Sequence, residues 1–238
     1  MSASVSAICF DLFYTLVDMR QTPEGSSTSD LLGIDREVWN RKIVEAAPHH
    51  ALGAERDPIE SVRLIAHAID PTIPLERIRS AAAARPQRFR TALLDPPPGA
   101  LAALERIRPL GLKLGLISNA GLDEVTAWEE SPLARFFDAA LFSCHERLMK
   151  PDPRIYRLAA DRLGVEPEAT LYVGDGGSQE HQGANAVGMQ TVLFLGLLSG
   201  PYPEMAAERP RIARWVIEDY PALVALVERL ARDGLPAR

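Results

Sequence analysis

Polar residues that suit chemistry on an anion follow apolar runs that have the pattern of buried strands. They are Asp11, the pair Ser118-Asn119, Lys150, and Asp175 with the Gly176-Gly177 turn after it. In an open α/β sheet the ligand crevice lies beyond the carboxyl ends of the strands, so we expect these residues to share one site. Two carboxylates, an amine and a hydroxyl–amide pair suit an anionic substrate held with a divalent cation.

Lys150 is informative because this chain seldom uses lysine. The only other lysines are Lys42 and Lys113, and nearly every remaining basic residue is arginine. A mutational bias towards arginine codons accounts for this scarcity, yet it makes each remaining lysine more informative. The rarity of lysine and the Pro-Asp-Pro that follows favour a chemical role for Lys150 over a place on the solvated surface.

Five short apolar runs rich in β-branched residues predict the strands that position these side chains. The runs are Val5–Phe10, Leu112–Ser118, Ala140–Ser143, Thr170–Gly174 and Thr191–Leu195, and a short edge strand is expected at Arg214–Ile217. Helical stretches are predicted at Ala100–Arg108, at Arg154–Leu163 with Gly164 as its C-cap, and at Pro221–Arg232. This alternation predicts an α/β fold with an open parallel sheet and helices on both faces.

The interval from about residue 17 to 95 lacks a convincing strand and is helical in pattern. Helices are predicted there at Arg36–Ala47, Pro58–Ile69 and Leu75–Leu94, and Pro86 is expected to kink or break the last of them. The chain would rejoin the sheet at the hinge of residues 95–99. We therefore predict a core domain of residues 1–16 and 96–238, with an α-helical cap domain of residues 17–95 inserted after the first strand.

The composition is that of a well-cored globular protein and excludes several classes of partner. The 238 residues are 47% apolar and 24% charged, which is ordinary for a soluble domain. A net charge of −6 argues against nucleic-acid binding, and no apolar run is long enough to span a bilayer. The first residues lack the basic region of a signal peptide.

The two cysteines, Cys9 and Cys144, lie far apart in the sequence, so we expect neither a disulfide nor a zinc site. This use of cysteine predicts that the protein works in the reducing cytoplasm. The sequence leaves the oligomeric state open.

Four segments carry a resemblance to a known family. FDLFYTLVD, LGLISNA, LMKPDPRIY and YVGDGGSQEHQGA resemble, in order and spacing, the four motifs of the haloacid dehalogenase-like hydrolases. The similar stretches are residues 5–20 and 95–195. The resemblance implies a three-layer Rossmann-like core with a small α-helical cap, and hydrolysis through a covalent aspartyl-enzyme intermediate.

The resemblance also implies roles for individual residues. Asp11 would be the covalent nucleophile, Ser118 would hydrogen-bond a phosphate oxygen, and Lys150 would neutralise the charge of nucleophile and substrate. Further contacts to a small anionic substrate are expected from Asn119, Thr15 and Gly176.

A Mg²⁺ ion is the cofactor that the resemblance implies, since hard cations prefer oxygen ligands. Its protein ligands would be the carboxylates of Asp11 and Asp175 and the backbone carbonyl of Phe13. Glu180 occupies the place where relatives carry a further acidic residue, which fixes either a metal-bound water or Lys150.

Phe13 departs from the pattern of the family's phosphatases. These usually carry a second aspartate two residues after the nucleophile, which protonates the leaving group and later activates water. Phe13 can do neither, and such assistance is worth about 10²–10⁴-fold in rate. Groups that can substitute for it are Tyr14, Asp18, His49, His50 and Glu180.

Several functions therefore stay open at the level of sequence. A Mg²⁺-dependent phosphatase of a small phosphorylated metabolite fits Asp175 and the turn after it. A metal-independent 2-haloacid dehalogenase fits Phe13, since halide leaves without a proton. Such enzymes typically replace the Gly174-Asp175 pair, however, and its retention argues against this function. In a dehalogenase, Arg41 would hold the carboxylate of the substrate. A phosphonate hydrolase would need Lys42 as a Schiff base. A catalytically silent relative that binds a phosphorylated ligand is the fourth alternative.

Overall fold

A single sheet of six parallel strands forms the centre of the protein. The structure is a computed structural model that describes residues 4–19, 27–200 and 202–235. The strands are β1 (Ala7–Phe10), β2 (Lys113–Ser118), β3 (Ala139–Phe142), β4 (Thr170–Gly174), β5 (Gln190–Phe194) and β6 (Trp215–Ile217). They lie in the order β3-β2-β1-β4-β5-β6, and all pairs are parallel. β1 is central and buried on both faces, which explains its continuous apolar sequence.

Five helices within residues 27–94 pack on one another. They are α1 (Thr28–Leu32), α2 (Arg36–Glu45), α3 (Ala47–His50), α4 (Pro58–Ile69) and α5 (Leu75–Leu94). Their shared apolar cluster includes Leu32, Trp39, Ile65 and Ile78, and it is separate from the clusters of the sheet. Residues 27–94 contain no strand, in agreement with their helical pattern.

The other helices cover both faces of the sheet and give three layers. They are α6 (Pro98–Ile107), α7 (Ser143–Glu146), α8 (Pro153–Leu163), α9 (Glu180–Ala186), α10 (Pro203–Glu208) and α11 (Tyr220–Asp233). Ile8 and Phe10 of β1 belong to the cluster shared with α6 and α11, whereas Cys9 belongs to the cluster shared with α8 and α9. Alternate strand residues thus bury the inner faces of different helices.

The predicted α/β fold with a parallel sheet is confirmed, and the strand bounds agree within two residues. Two local predictions were wrong. Ser143 begins α7 instead of ending β3, and the helix expected to reach residue 47 ends at Glu45, after which α3 starts anew. α5 continues through Pro86, so the helix is not broken there, and a kink at this proline stays a prediction. A proline inside a helix removes one backbone hydrogen bond.

The division into core and cap domains stays a prediction. Residues 1–3 and 236–238 of the predicted core, and residues 20–26 of the predicted cap, lie outside the described part of the chain. Among the described residues, no helix combines the length and apolar character that crossing a bilayer requires.

Candidate active site

Three neighbouring strands end in residues of the predicted site. β1 pairs with β2 on one side and with β4 on the other, so Asp11, Ser118 and Asp175 emerge side by side at the carboxyl edge of the sheet. The Asp11 amide donates to the Val173 carbonyl of β4 over 2.8 Å, which continues the ladder one residue beyond the strand. Asp11 and Asp175 are both buried.

Lys150 reaches this edge from the loop between α7 and α8. Its backbone is held by the Asn119 side chain, which accepts from the Lys150 amide at 2.8 Å and donates to the Lys150 carbonyl at 2.9 Å. The ammonium Nζ lies 2.5 Å from Asp11 Oδ1 and 2.6 Å from Glu180 Oε2. It also donates to the Tyr172 hydroxyl at 3.0 Å. A buried lysine with three polar partners is fixed in place.

Glu180 is the first residue of α9, and each of its carboxylate oxygens is bound. Oε1 accepts from the Gly176 amide at 2.7 Å, and Oε2 accepts from the Tyr172 hydroxyl at 2.7 Å as well as from Lys150. A Cβ at Gly174 would collide with Oε1. Glycine is therefore required at the end of β4 so that the carboxylate can approach the backbone. The Gly176 amide is committed to Glu180, and its predicted contact with substrate stays a prediction.

Two hydroxyl groups flank the predicted nucleophile. Thr15 Oγ1 donates to Asp11 Oδ2 at 3.1 Å, which orients the carboxylate. Ser118 Oγ is buried and has no hydrogen-bond partner within the described part of the chain. Buried hydroxyls are normally paired, so this donor has capacity for an oxygen of a bound anion.

Asp175 has a partner that the motifs did not predict. Its Oδ1 accepts from the Gly177 amide at 3.1 Å, and its Oδ2 accepts from the Arg209 guanidinium in an ion pair. Arg209 follows α10 in the connection between β5 and β6. No local signal marks this arginine, because only the path of that connection brings it to Asp175.

The site holds more negative than positive charge. Three buried carboxylates, Asp11, Asp175 and Glu180, face the two cations Lys150 and Arg209. Burial raises the pKa of Asp11, the Lys150 ammonium opposes this and the Glu180 carboxylate adds to it, with a net rise to about 7. Burial also raises the pKa of Asp175, with Glu180 adding and Arg209 opposing. Burial disfavours the charged form of Glu180, but Lys150 outweighs it and holds the pKa below the usual value.

This charge balance fits a divalent cation. One oxygen from each of the three carboxylates lies within 4.8 Å of the others. Oxygen donors are the ligands that Mg²⁺ prefers, and an added cation would oppose both the burial and the neighbouring carboxylates that raise the pKa of Asp11. Asp11 retains acceptor capacity, since a carboxylate offers about four lone-pair sites, whereas Arg209 lies on Oδ2 of Asp175.

Two cavities lie beside the site, both next to α2, and the first also borders α5. The first, of about 440 Å³, is lined by residues that include Phe13, Tyr14, Arg88 and Asn119. The Phe13 ring packs edge-on against Phe89 with centroids 5.4 Å apart. The second cavity, of about 490 Å³, is lined by Lys150 and again by Asn119. Both cavities border Asn119, and the second also borders Lys150.

Arg85 of α5 forms a buried ionic cluster with the segment that follows β2. Its Nε lies 2.6 Å from Asp123 and its guanidinium also lies 2.5 Å from Glu124. Thr28 accepts from it at 3.2 Å, and His50 Nε2 lies 3.1 Å from Glu124. The helices inserted after β1 are therefore tied to the loop that carries Asn119. The motifs did not predict this cluster.

The groups named as substitutes for the missing acid differ in their surroundings. Tyr14 lines the first cavity and has left-handed backbone (φ 60°), an uncommon conformation for tyrosine. Asp18 is buried, and His49 is exposed. His50 is engaged by Ser61 and Glu124, and Glu180 by Lys150.

The two cap residues considered for other chemistries lie at the surface of α2. Arg41 is exposed. Lys42 forms a surface ion pair with Glu45 at 2.7 Å, which does not favour a Schiff-base role.

The chain is similar in sequence to known proteins. The model of the haloacid dehalogenase-like hydrolases matches residues 5–188. A glyceraldehyde 3-phosphate phosphatase of Methanopyrus kandleri is 32% identical over 164 residues, which cover 67% of this chain and 68% of that protein.

Solved structures agree at the level of fold. The L-2-haloacid dehalogenase of Xanthobacter autotrophicus with chloropropionic acid covalently bound superposes with a TM-score of 0.65 at 22% identity, over 94% of this chain and 98% of that one. A Bacteroides thetaiotaomicron enzyme of the same family, in complex with magnesium and inorganic phosphate, gives a TM-score of 0.59 at 16% identity, over 80% and 94% of the chains.

Proposed function

This chain belongs to the haloacid dehalogenase-like hydrolases, and we propose that it is a Mg²⁺-dependent phosphatase of a small phosphorylated metabolite. The observation that carries the proposal is the buried cluster in which Lys150 lies between Asp11 and Glu180 while Arg209 pairs with Asp175, which leaves one negative charge in excess. The orphan hydroxyl of Ser118 supports it, because a phosphate oxygen would complete its hydrogen bonding. The similarity to a glyceraldehyde 3-phosphate phosphatase supports the same reaction class.

In the proposed reaction an Asp11 oxygen attacks phosphorus, the bond from phosphorus to the ester oxygen breaks, and the leaving group departs as its oxyanion, which gives an aspartyl-phosphate. Water then releases inorganic phosphate and restores the carboxylate. Thr15 orients Asp11, Ser118 donates to a phosphoryl oxygen, and Lys150 neutralises the charge that passes between nucleophile and substrate. Asn119 acts through Lys150, whose backbone it holds on both sides.

The residues that would hold Mg²⁺ are Asp11, Asp175 and, through its backbone carbonyl, Phe13. When bound, the cation supplies positive charge to the phosphoryl oxygens and orients them. Phe13 offers no proton to the leaving group. We therefore expect the protein to favour phosphates whose leaving groups depart without protonation, such as aryl and acyl phosphates.

The test is hydrolysis of p-nitrophenyl phosphate with Mg²⁺ and with a chelator. Turnover should need the metal and should fall at least about 10³-fold in Asp11→Asn, because the nucleophile is lost. Asp161→Asn, an exposed position on α8, is the matched control and should keep full activity.

A 2-haloacid dehalogenase is the second candidate, favoured by the aromatic residue at position 13, since halide leaves without a proton. Halide release from 2-chloropropionate without metal, and without phosphatase turnover, would establish that function instead. Absence of both activities would favour a silent relative that binds a phosphorylated ligand.

A further inference from the structure

Arg209 occupies the carboxylate that would hold the cation. Its guanidinium donates to Asp175 Oδ2. Its Cβ and Cδ each lie 3.4 Å from the position that a Cβ at Gly176 would take, so the side chain covers the turn after Asp175. Its buried Nε has no hydrogen-bond partner among the described residues. Both carboxylate oxygens of Asp175 therefore accept a hydrogen bond, whereas one donor of Arg209 lacks an acceptor in the described part of the chain.

We infer that Arg209 competes with the divalent cation for Asp175 and must be displaced before the ion binds. A guanidinium and Mg²⁺ both bind the same carboxylate oxygens, and like charges at contact distance repel strongly in a buried site. The inference rests on the proposed function only in taking Asp175 as a metal ligand.

The two cations of the site differ in their freedom to move. The Lys150 side chain is 3% exposed and has three polar partners, so displacing it would strand a buried ammonium. The Arg209 side chain is 20% exposed and holds one carboxylate, and its long flexible stem can carry the charged head into solvent. Binding of the ion therefore releases Arg209 and leaves Lys150 on Asp11.

Direct measurement of Mg²⁺ binding by titration calorimetry tests the inference without any turnover. Arg209→Gln removes the competing charge, so its Kd for Mg²⁺ should fall about tenfold below that of the unmodified protein (about 1.4 kcal/mol). Arg209→Lys keeps a positive charge but loses the planar fork that matches a carboxylate, so its Kd should lie between the two. Arg211→Gln, an exposed arginine two residues away, is the control and should leave the Kd unchanged.

An unchanged or higher Kd in a folded Arg209→Gln variant would overturn the inference, and so would the absence of Mg²⁺ binding in both proteins. Melting curves of the metal-free variants establish that each is folded. Tighter binding by Arg209→Gln supports the inference even where p-nitrophenyl phosphate is not hydrolysed. Failure of the proposed phosphatase activity is thereby distinguished from failure of the competition.

Discussion

Replacement of Phe13 by aspartate should convert the protein into a better catalyst for poor leaving groups. Phe13 lies in the turn after the nucleophile and lines the cavity of about 440 Å³ that also borders Asn119. Its side chain is half-buried, so a carboxyl group at this position has access both to the cavity and to solvent. The introduced carboxyl group would be able to protonate a departing alkoxide and then to activate water.

The expected gain exceeds the structural cost. General acid–base assistance contributes about 10²–10⁴-fold, which is about 3–5 kcal/mol of activation free energy. The substitution loses the edge-on pair with Phe89 (centroids 5.4 Å apart), which is worth about 1 kcal/mol beyond its buried area. A domain with about 5–15 kcal/mol of stability tolerates that loss.

The assay compares kcat/KM for an alkyl phosphate, glycerol phosphate, with that for p-nitrophenyl phosphate. p-Nitrophenolate leaves without a proton, so only the alkyl ester should profit from the new acid. The ratio of alkyl to aryl kcat/KM should rise at least about 10²-fold in Phe13→Asp. Phe13→Asn introduces a side chain of nearly the same shape as aspartate but with no titratable proton, and it should leave the ratio unchanged. An unchanged ratio in the aspartate variant, or an equal rise in the asparagine variant, would refute the reasoning.

Two further predictions concern the buried charges. Burial would raise the pKa of Glu124, but His50 and Arg85 outweigh it and lower the pKa from 4.5 to about 2. Because folding lowers the pKa of the Glu124 carboxyl group, its ionised form stabilises the folded state above pH 4.5. The contribution is about 3 kcal/mol, at about 1.36 kcal/mol per unit of pKa shift, and it is lost as the pH falls towards 2. In urea titrations Glu124→Gln should therefore be less stable at pH 7, by a gap that closes near pH 2; a gap independent of pH would contradict this. Tyr172→Phe removes a buried hydroxyl bonded to the Lys150 ammonium and should lower the free energy of unfolding by about 2 kcal/mol. Unchanged stability there would show that the hydroxyl is dispensable.

The strand ends could be predicted because two local signals coincide there. An apolar run predicts a buried parallel strand, and a polar residue directly after it lies at the carboxyl edge. Asp11 and Asp175 are neighbours in the structure because β1 pairs with β4. The local pattern does not give the order of the strands in the sheet. The prediction that Asp11 and Asp175 lie side by side therefore depended on the resemblance of the four segments to the motifs of the family.

The buried ion pairs of Arg85 were not predicted, although its position on the apolar face of α5 could have indicated them. α5 contains four other arginines, of which Arg77 and Arg79 are exposed and the remaining two are half-buried. The buried residues of this helix include Ile78, Ala82, Phe89 and Leu93, and Arg85 lies among them at helical spacing. An arginine on the apolar stripe of a helix needs a buried counter-charge, which Asp123 and Glu124 supply from another part of the chain.

Tyr172 and Arg209 were missed for different reasons. A tyrosine in a fully buried strand requires a partner for its hydroxyl, so Tyr172 could have been singled out, although its partners Lys150 and Glu180 could not. Arg209 follows Asp175 by 34 residues. Its contact depends on how the connection from β5 to β6 folds back over the sheet, and no periodicity in that segment encodes the path.

Asp175 is the residue at which the two candidate functions separate. A dehalogenase mechanism needs neither an acid at position 13 nor a metal ion. In such an enzyme the ion pair with Arg209 would neutralise the charge of Asp175. Burial of a carboxylate is nevertheless unfavourable, and a chain without use for a cation would gain by a neutral side chain at this position. Asp175 instead adds a third carboxylate to Asp11 and Glu180, and burial keeps its own pKa raised even beside the arginine. The excess negative charge is compensated only if a further cation binds at the site. We therefore prefer the Mg²⁺-dependent phosphatase over the dehalogenase despite Phe13.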